Sequence, residues 1–589
     1  MRTRIEQSWL PNLLSVPSDL RSEAFVNPLT SPARETVMMN PIETEVLVVG
    51  AGPVGLTLAI DLAQRGVKVT VAEMRTAGEP PNGLSNVVSA RSMEAFRRLG
   101  FVRSVRDAGL PADYPNDVAI RTSVTGLEIG RVRIPCRAER YTAKGGRDTW
   151  WPTPEPPHRI NQIYLEPVLR AAALATPGLS ILNRVRVSDA QQTENGALAT
   201  ASDLGSGKTV TIAARYVVGC DGAHSQVRYA IGTTLRGDAV VLQAQTSIIR
   251  VPELLAMMPG PAWAIDCVSP RSRGLVFAID GREQWIVHKF AGPGGTLPPD
   301  REGAVRDILG VGPTFAFETM RREDWVGRRM VADRFRDRRI FLCGDAAHIW
   351  APFAAYGMNA GIADAMNLGW MLAGVIKGWA EPALLDAYEI ERRPITDQVS
   401  RFAMQSATTW STGYADLTET IEAPGPEGDA VRANVGRAAA ESIGQRQCCG
   451  GLNFGYFYDG SPIIAYDGEA APQYTIADFT QSTVPGCRTP HLWLKDGRSL
   501  YDALGPDFTL LRFDPTVAIE TFVAAATHRD VPISVLDVEA DEASLLYPCK
   551  LLLSRPDRHV AWRGKKSPED ASALINRVRG AFADDAMRH

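Results

Sequence analysis

Eight cysteines in 589 residues are too few for a disulfide framework. They stand at 136, 220, 267, 343, 448, 449, 487 and 549, with no C-x-x-C redox pair and no zinc-ligand spacing. Reduced thiols in a cytoplasmic protein are the expectation. An excess of one charge sign is also missing. Lys plus Arg number 63 against 67 Asp plus Glu, a net of −4, and the pI is near 6.1. Such a chain has no bulk charge with which to grip nucleic acid or an anionic membrane. Long apolar runs are absent as well. The longest, Ala360 to Ile376, is broken by Asp364 and Asn367, so no membrane span is expected. The first 40 residues hold no apolar core for a signal peptide, and Glu6, Asp19, Glu23 and Glu35 argue against a transit peptide. There is no internal repeat and no low-complexity tract.

What is present is an ordinary globular composition, 45% apolar and 22% charged, enough for about three domains at the usual 100–200 residues each. From residue 45 the pattern sharpens. Val46-Leu47-Val48-Val49 reads as a parallel strand buried on both faces. Gly50-Ala51-Gly52-Pro53-Val54-Gly55 follows at once. Leu58, Ala59, Leu62 and Ala63 then come at helical spacing, with Gly66 as the stop. Val67 to Val71 is the next strand, and Glu73 ends it.

This is the strand–turn–helix–strand context in which a glycine motif binds a dinucleotide. Gly50 permits the tight turn, Gly52 lets backbone approach a pyrophosphate, and Gly55 allows close helix–strand packing. The helix N-terminus offers N–H groups and a positive dipole to phosphate, and Glu73 suits a ribose diol. Two further strand-end signals follow, Asp221-Gly222 after Arg215 to Cys220, and Gly344-Asp345 after Arg339 to Cys343. Either alone is a common turn. Three in one chain point to one extended ligand.

Between them, Val240 to Val251, Trp263 to Val268, Gly274 to Ile279 and Gln284 to Phe290 read as strands of an antiparallel sheet. A long helix is expected from about Asn359 to Gly378. From about 474 a separate α/β pattern begins. It ends in a helix for which Ser567 is the expected N-cap and Pro568 the first turn.

The motif set resembles the class A FAD-dependent aromatic monooxygenases, the group of 4-hydroxybenzoate 3-monooxygenase and phenol hydroxylase, and most of all the 2,4-dichlorophenol hydroxylase branch. The carrying segments are GAGPVG at 50–55, Glu73, ARSMEAFRRLG at 90–100, INQIYLEPVLR at 160–170, YVVGCDGAHSQVR at 216–228, GDAAH at 344–348, GMNAGIADAMNLGWML at 357–372 and LLDAYEIERRP at 384–394. PGCRTPHLWL at 485–494, SLYDALGPDFTLL at 499–511 and HVAWRG at 559–564 look like the family's C-terminal thioredoxin-like domain.

The resemblance implies an α/β architecture. A Rossmann-like FAD-binding domain of glutathione-reductase type is interleaved with an antiparallel-sheet substrate domain and followed by a thioredoxin-like domain. The FAD domain takes 42–115, 157–235 and 330–405. The substrate domain takes an insertion at 116–156 and the sheet at 236–329. An N-terminal arm covers 1–41, a helical linker 406–473 and the thioredoxin-like domain 474–589. Without a C-x-x-C that last domain is expected to be structural, or to serve a homodimer.

The resemblance further implies non-covalent FAD, NADPH or NADH as reductant, and O2. Hydroxylation of a phenolic ring would proceed through a flavin hydroperoxide, as in phenol degradation. Gly50, Gly52, Pro53, Val54, Gly55 and Glu73 would hold the ADP half. Arg91 and Gln162 would reach the pyrophosphate and ribityl region, Asp345 the ribityl chain, and Asp221 both cofactors. Gly357, Met358 and Asn359 would face the flavin pyrimidine.

The family's Pro-Pro-x-Gly-Gly-like loop here reads Ala351-Pro352-Phe353-Ala354-Ala355-Tyr356-Gly357, which keeps Pro352 and replaces the glycine pair. Phe353 and Tyr356 become candidate pocket walls. The phenol base is open. Some relatives place an Asp in the segment before Arg91, where this chain has Asn86 nearby instead, and His288 and Asp117 are the candidates. Trp263 and Trp285 suit either core or pocket. Two alternatives stay open: epoxidation or Baeyer–Villiger oxygenation of a polycyclic natural product on the same fold, and a non-catalytic FAD-binding protein.

Overall fold

The apolar run Val46 to Val49 lies at the centre of an eight-stranded sheet, at most 5% exposed. The computed structural model describes residues 41–582 except 82–84, 239, 241, 293–294, 354, 415 and 541–542. The expected arm at 1–41 therefore falls outside the described residues save for Pro41. Ile42–Val49 pairs in parallel with Thr209–Gly219 on one side and Val69–Glu73 on the other. Ile340–Leu342 and Leu179–Asn183 extend the parallel set outward on each flank. The first strand thus sits where strand order reverses, the place where open α/β sheets take ligands at their carboxyl ends. Helices Pro53–Gln64 and Gly357–Lys377 pack against each other beside the sheet, and their buried side chains share one hydrophobic core with the strands.

A second, seven-stranded sheet combines Glu318–Gly327, Leu242–Arg250, Gln284–Ala291, Gly274–Ala278, Ala264–Cys267, Val118–Arg121 and Glu128–Val132, in that order. All its pairings are antiparallel except Ala264–Cys267 with Val118–Arg121. Its face carries its own core around Trp263, Ile265, Trp285 and Val287.

Helices Asp386–Thr412 and Pro426–Gln447 lead toward the tail. There Ile533–Asp537, Phe508–Arg512, Leu551–Ser554 and Val560–Gly564 form a four-stranded mixed sheet. The last helix starts later than its sequence signal. It runs Ala571–Val578 and is capped by Asp570, whose carboxylate accepts from Ala573 N at 2.8 Å. Ser567 cannot be that cap, because its hydroxyl is given to the Ala518 carbonyl.

Candidate functional site

Parallel pairing brings the three motif turns to one edge. Val49 is level with Gly219, which is level with Leu342, and with Ala72 on the other side. The turns at Gly50, Asp221 and Gly344 and the end of the Glu73 strand therefore stand together at the carboxyl edge of the sheet, where open α/β sheets form their ligand crevice. Gly50 has φ +102°, and a Cβ there would lie 2.4 Å from the Cys220 carbonyl oxygen. A Cβ on Gly55 would meet the Gly50 oxygen at 2.0 Å, whereas nothing lies within 4 Å of one on Gly52. The second glycine thus leaves a cradle that backbone can offer to a ligand. Helix Pro53–Gln64 has no side-chain cap over its first N–H groups.

Glu73 Oε2 accepts from Ala51 N at 2.7 Å. Against the cost of burial, hydrogen bonds from Arg75 hold its carboxyl below the usual range. Arg75 Nη1 also donates to Glu166 at 2.9 Å, and Gln162 Nε2 donates to the other Glu166 oxygen at 2.6 Å. Glu73 and Gln162, which lie far apart in sequence, are joined through Glu166, within the 160–170 segment, and Arg75, which carries no sequence signal.

Arg228 ties the other two turns together, donating to Ala223 O at 2.7 Å and to Ala346 O at 2.9 Å. One Asp221 oxygen accepts from Gln226 N at 2.7 Å, while Oδ1 is buried with no partner. Burial raises the Asp221 carboxyl above the usual range. Asp345 is exposed, yet desolvation by the protein around it also raises its carboxyl. Beneath it Asp364, 0% exposed, accepts from Gly344 N at 3.2 Å, His348 Nε2 at 2.7 Å and Arg392 Nε at 2.8 Å. Asp364 fixes the Gly344-Asp345 turn to helix Gly357–Lys377. That helix also begins without a side-chain cap. Asn359 holds its start, accepting from Ser89 N and Ser92 Oγ at 2.8 Å each and donating to Val87 O at 3.0 Å.

An open cradle at Gly52, uncapped N–H groups at two helix starts, an orphaned Asp221 oxygen and a crowded but solvent-reached Asp345 are the donor and acceptor set a dinucleotide cofactor requires. Arg91 is not among them. Its guanidinium lies 4.4 Å from the centroid of the Tyr456 ring, in a second cavity between helix Ala90–Arg98 and the tail. Asn86 accepts from Asn161 Nδ2 at 2.6 Å, and Asn161 caps helix Gln162–Leu174.

On the second sheet, aromatic rings gather around the loop that carries Phe353. Phe290 is 5.5 Å from Phe353, 4.8 Å from Trp410, 5.9 Å from Trp325 and 5.7 Å from His288, measured between centroids. Burial lowers His288 to about 4, which keeps it neutral near pH 7. Trp325 Nε1 donates to Thr246 Oγ1 at 2.9 Å, and that hydroxyl lies 2.8 Å from His288 Nδ1. Indole can only donate, so the Thr246 hydroxyl accepts there; donating onward to Nδ1 would leave the imidazole proton on Nε2, and accepting from Nδ1 would leave it on Nδ1. Pro352 is exposed at the start of the loop.

Three other sequence candidates sit elsewhere. Asp117 is spoken for by Arg131 at 3.1 Å, Arg133 at 3.0 Å and Ile134 N at 2.9 Å, so it braces a sheet edge and lacks a free oxygen for a substrate. Trp263 and Trp285, 2% and 0% exposed, belong to the core and not to a pocket wall. Tyr356, by contrast, is buried in the hydrophobic cluster against which Phe290, Trp325 and Phe353 pack, and its hydroxyl donates to Leu452 O at 2.8 Å. A residue without sequence signal is closer to the rings. Asp266, 1% exposed, accepts from Trp410 Nε1 at 3.2 Å, and burial raises its carboxyl. Among the described residues no cluster could hold a metal ion and no helix is long and apolar enough to cross a membrane.

Residues 43–403 match the FAD binding domain family, and residues 482–583 match the aromatic-ring hydroxylase C-terminal family. The chain is 30% identical to the FAD-dependent monooxygenase apdD of Emericella nidulans, over 94% of this chain and 93% of that one. It is 30% identical to the tetracenomycin B2 monooxygenase-dioxygenase of Streptomyces olivaceus, over 92% and 98%. Among solved structures, RebC with bound 7-carboxy-K252c superposes with a TM-score of 0.83 at 34% identity, covering 92% of this chain and 100% of that one.

Proposed function

The chain belongs to the class A FAD-dependent aromatic monooxygenases, and from that premise we propose that it hydroxylates a phenolic ring held within a polycyclic aromatic substrate. The observation that carries this reading is the aromatic cluster of His288, Phe290, Trp325, Phe353 and Trp410 around the loop that leads into helix Gly357–Lys377. A flat polycycle buries far more area against five rings than a single phenol does. The RebC and tetracenomycin relatives point the same way.

Bound FAD would supply the electron store and the activation of O2. The chain's own residues hold and seal. The three turns and Glu73 fix the dinucleotide, and the uncapped start of helix Gly357–Lys377 favours negative charge beside it. The aromatic wall orients the ring and excludes water. His288, kept neutral by burial, is the imidazole of that cluster and would hydrogen-bond a substrate oxygen through Nε2. NADPH or NADH is the reductant, the working form is a cytoplasmic homodimer, and the tail is a thioredoxin-like fold without thiol chemistry. Its mixed sheet order and the lack of a C-x-x-C support that last reading.

The test is NAD(P)H consumption against a panel of single-ring phenols and polycyclic phenols, with product masses. The reading expects stimulation by polycycles and gain of one oxygen on a phenolic ring. Ring-expanded or epoxide products would favour the alternative oxygenation, and no stimulation by any aromatic would favour a non-catalytic flavoprotein.

A further inference from the structure

The cavity that takes Arg91 is walled by helix Ala90–Arg98, helix Gly357–Lys377 and the tail turn Pro556 to Arg558. Four guanidiniums line it, from Arg91, Arg98, Arg488 and Arg558, against the carboxylates of Glu94 and Asp557. The carboxylates are already spent. Glu94 serves Arg488 through Oε1 and Arg558 through Oε2, and also accepts from the Thr153 hydroxyl. Asp557 is committed to Arg555, with Nη2 at 2.8 Å, and to Asn367 at 3.1 Å. Arg98 leans on Asp61, which Arg65 shares at 2.9 Å. Arg91 has no ion pair among the described residues, and its Nη1 is buried without a partner, as is Arg98 Nε.

A guanidinium drawn partly out of water without a counter-charge favours an anion beside it. Burial holds Arg98 and Arg558 below the ordinary arginine value, whereas against the same burial the neighbouring Tyr456 and Tyr458 raise Arg91. The backbone adds to this. Arg558 has φ +65°, a left-handed conformation that an arginine rarely adopts, and it places the side chain at the cavity. Arg91, Arg98, Ala363 and Met366 are only partly buried, so solvent reaches the space. Planar forks converging from three elements suit the oxygens of a phosphate group.

We propose that this cavity, which meets the start of helix Gly357–Lys377 at Asn359, binds a phosphate group beyond those of the bound dinucleotide, with Arg91 and Arg558 as its principal ligands. The phosphate is either free inorganic phosphate or the 2′-phosphate of NADPH, and the second source rests on the function proposed above.

The test is calorimetric titration of the FAD-loaded full chain with inorganic phosphate and with 2′,5′-ADP. The expectation is one equivalent bound, weakening as salt rises. Arg558→Gln and Arg91→Gln should each reduce affinity about tenfold or more, and Arg558→Lys should recover part of it. Absence of binding of both probes by the unaltered protein overturns the proposal without any variant, as does unchanged affinity in both Gln variants. Tighter binding of 2′,5′-ADP than of phosphate, with an NADPH preference over NADH that Arg558→Gln removes, assigns the nucleotide. Phosphate binding that 2′,5′-ADP does not compete with assigns the free anion. Heats of binding need no turnover, so a protein that oxidises no NAD(P)H loses the proposed function and keeps this site.

Discussion

At Asp345 two properties that usually exclude each other coincide. Solvent reaches the carboxylate, yet desolvation by the surrounding protein raises its pKa. That combination describes the floor of a cleft. Asp345→Ala removes a partner that a cofactor hydroxyl would otherwise have, a loss of roughly 1–3 kcal/mol. The expected outcome is flavin affinity lower by about tenfold or more, read as visible flavin absorbance per protein and as release on dilution. A variant that keeps flavin as well as the parent refutes the role. The buried histidines make a second prediction at this scale. Burial lowers His288 to about 4 and His491 and His559 to about 3. The unfolded chain protonates them near pH 6.5, whereas the native state does not until far lower. Their contribution is therefore complete above about pH 6.5 and is lost as pH falls toward 4 and then 3. Each costs about 1.4 kcal/mol per pH unit in that window. The urea midpoint should drop between pH 7.5 and pH 5.5, and an unchanged or higher midpoint would contradict the assignment.

Within the strand–turn–helix element, neighbouring glycines give opposite predictions. Gly50→Ala puts a methyl 2.4 Å from the Cys220 oxygen at φ +102°, so the turn has to open and soluble protein should fall sharply. Gly52→Ala meets nothing within 4 Å, so melting should hardly change while flavin affinity drops, because the methyl occupies the cradle. Equal melting losses in the two variants would overturn this division. The same element explains what could be read in advance. A glycine turn, its strand and the acid ending the next strand are local in sequence, and parallel pairing then gathers the three turns of its own accord. Partners chosen across long separations leave no local pattern. Arg75 with Glu166, Asp364 with His348 and Arg392, and Asp266 with Trp410 are pairs of this kind. Arg91 is the converse. The motif places it on helix Ala90–Arg98, but the direction it faces is decided by Tyr456 and by a tail nearly 400 residues further on, where Arg488 meets Glu94.

Across the whole molecule the tail is bound to the FAD-binding body through both core and charge. Phe508, Leu510, Leu551 and Leu553 lie in the same hydrophobic core as Val46 and Trp370. At its edge Arg555, 0% exposed in its side chain, engages both oxygens of Glu391 at 2.5 and 2.7 Å and Asp557 at 2.8 Å. Asn367, midway along helix Gly357–Lys377, donates to Glu391 at 2.7 Å and to Asp557 at 3.1 Å. The helix proposed to open at the flavin is therefore clamped in its middle by the tail. Deleting 474–589 should give aggregated protein, because it exposes that shared core. The finer test leaves the chain whole. Arg555→Met strands two buried carboxylates and should cost about 3–5 kcal/mol, whereas adding Glu391→Leu removes one of them and should recover part of the loss. A double-mutant cycle in urea should thus give a coupling above about 1 kcal/mol. If the clamp positions the helix, Arg555→Met should also speed flavin release under conditions where it remains folded. Unchanged release would mean that the tail stabilises the body without reaching the cleft.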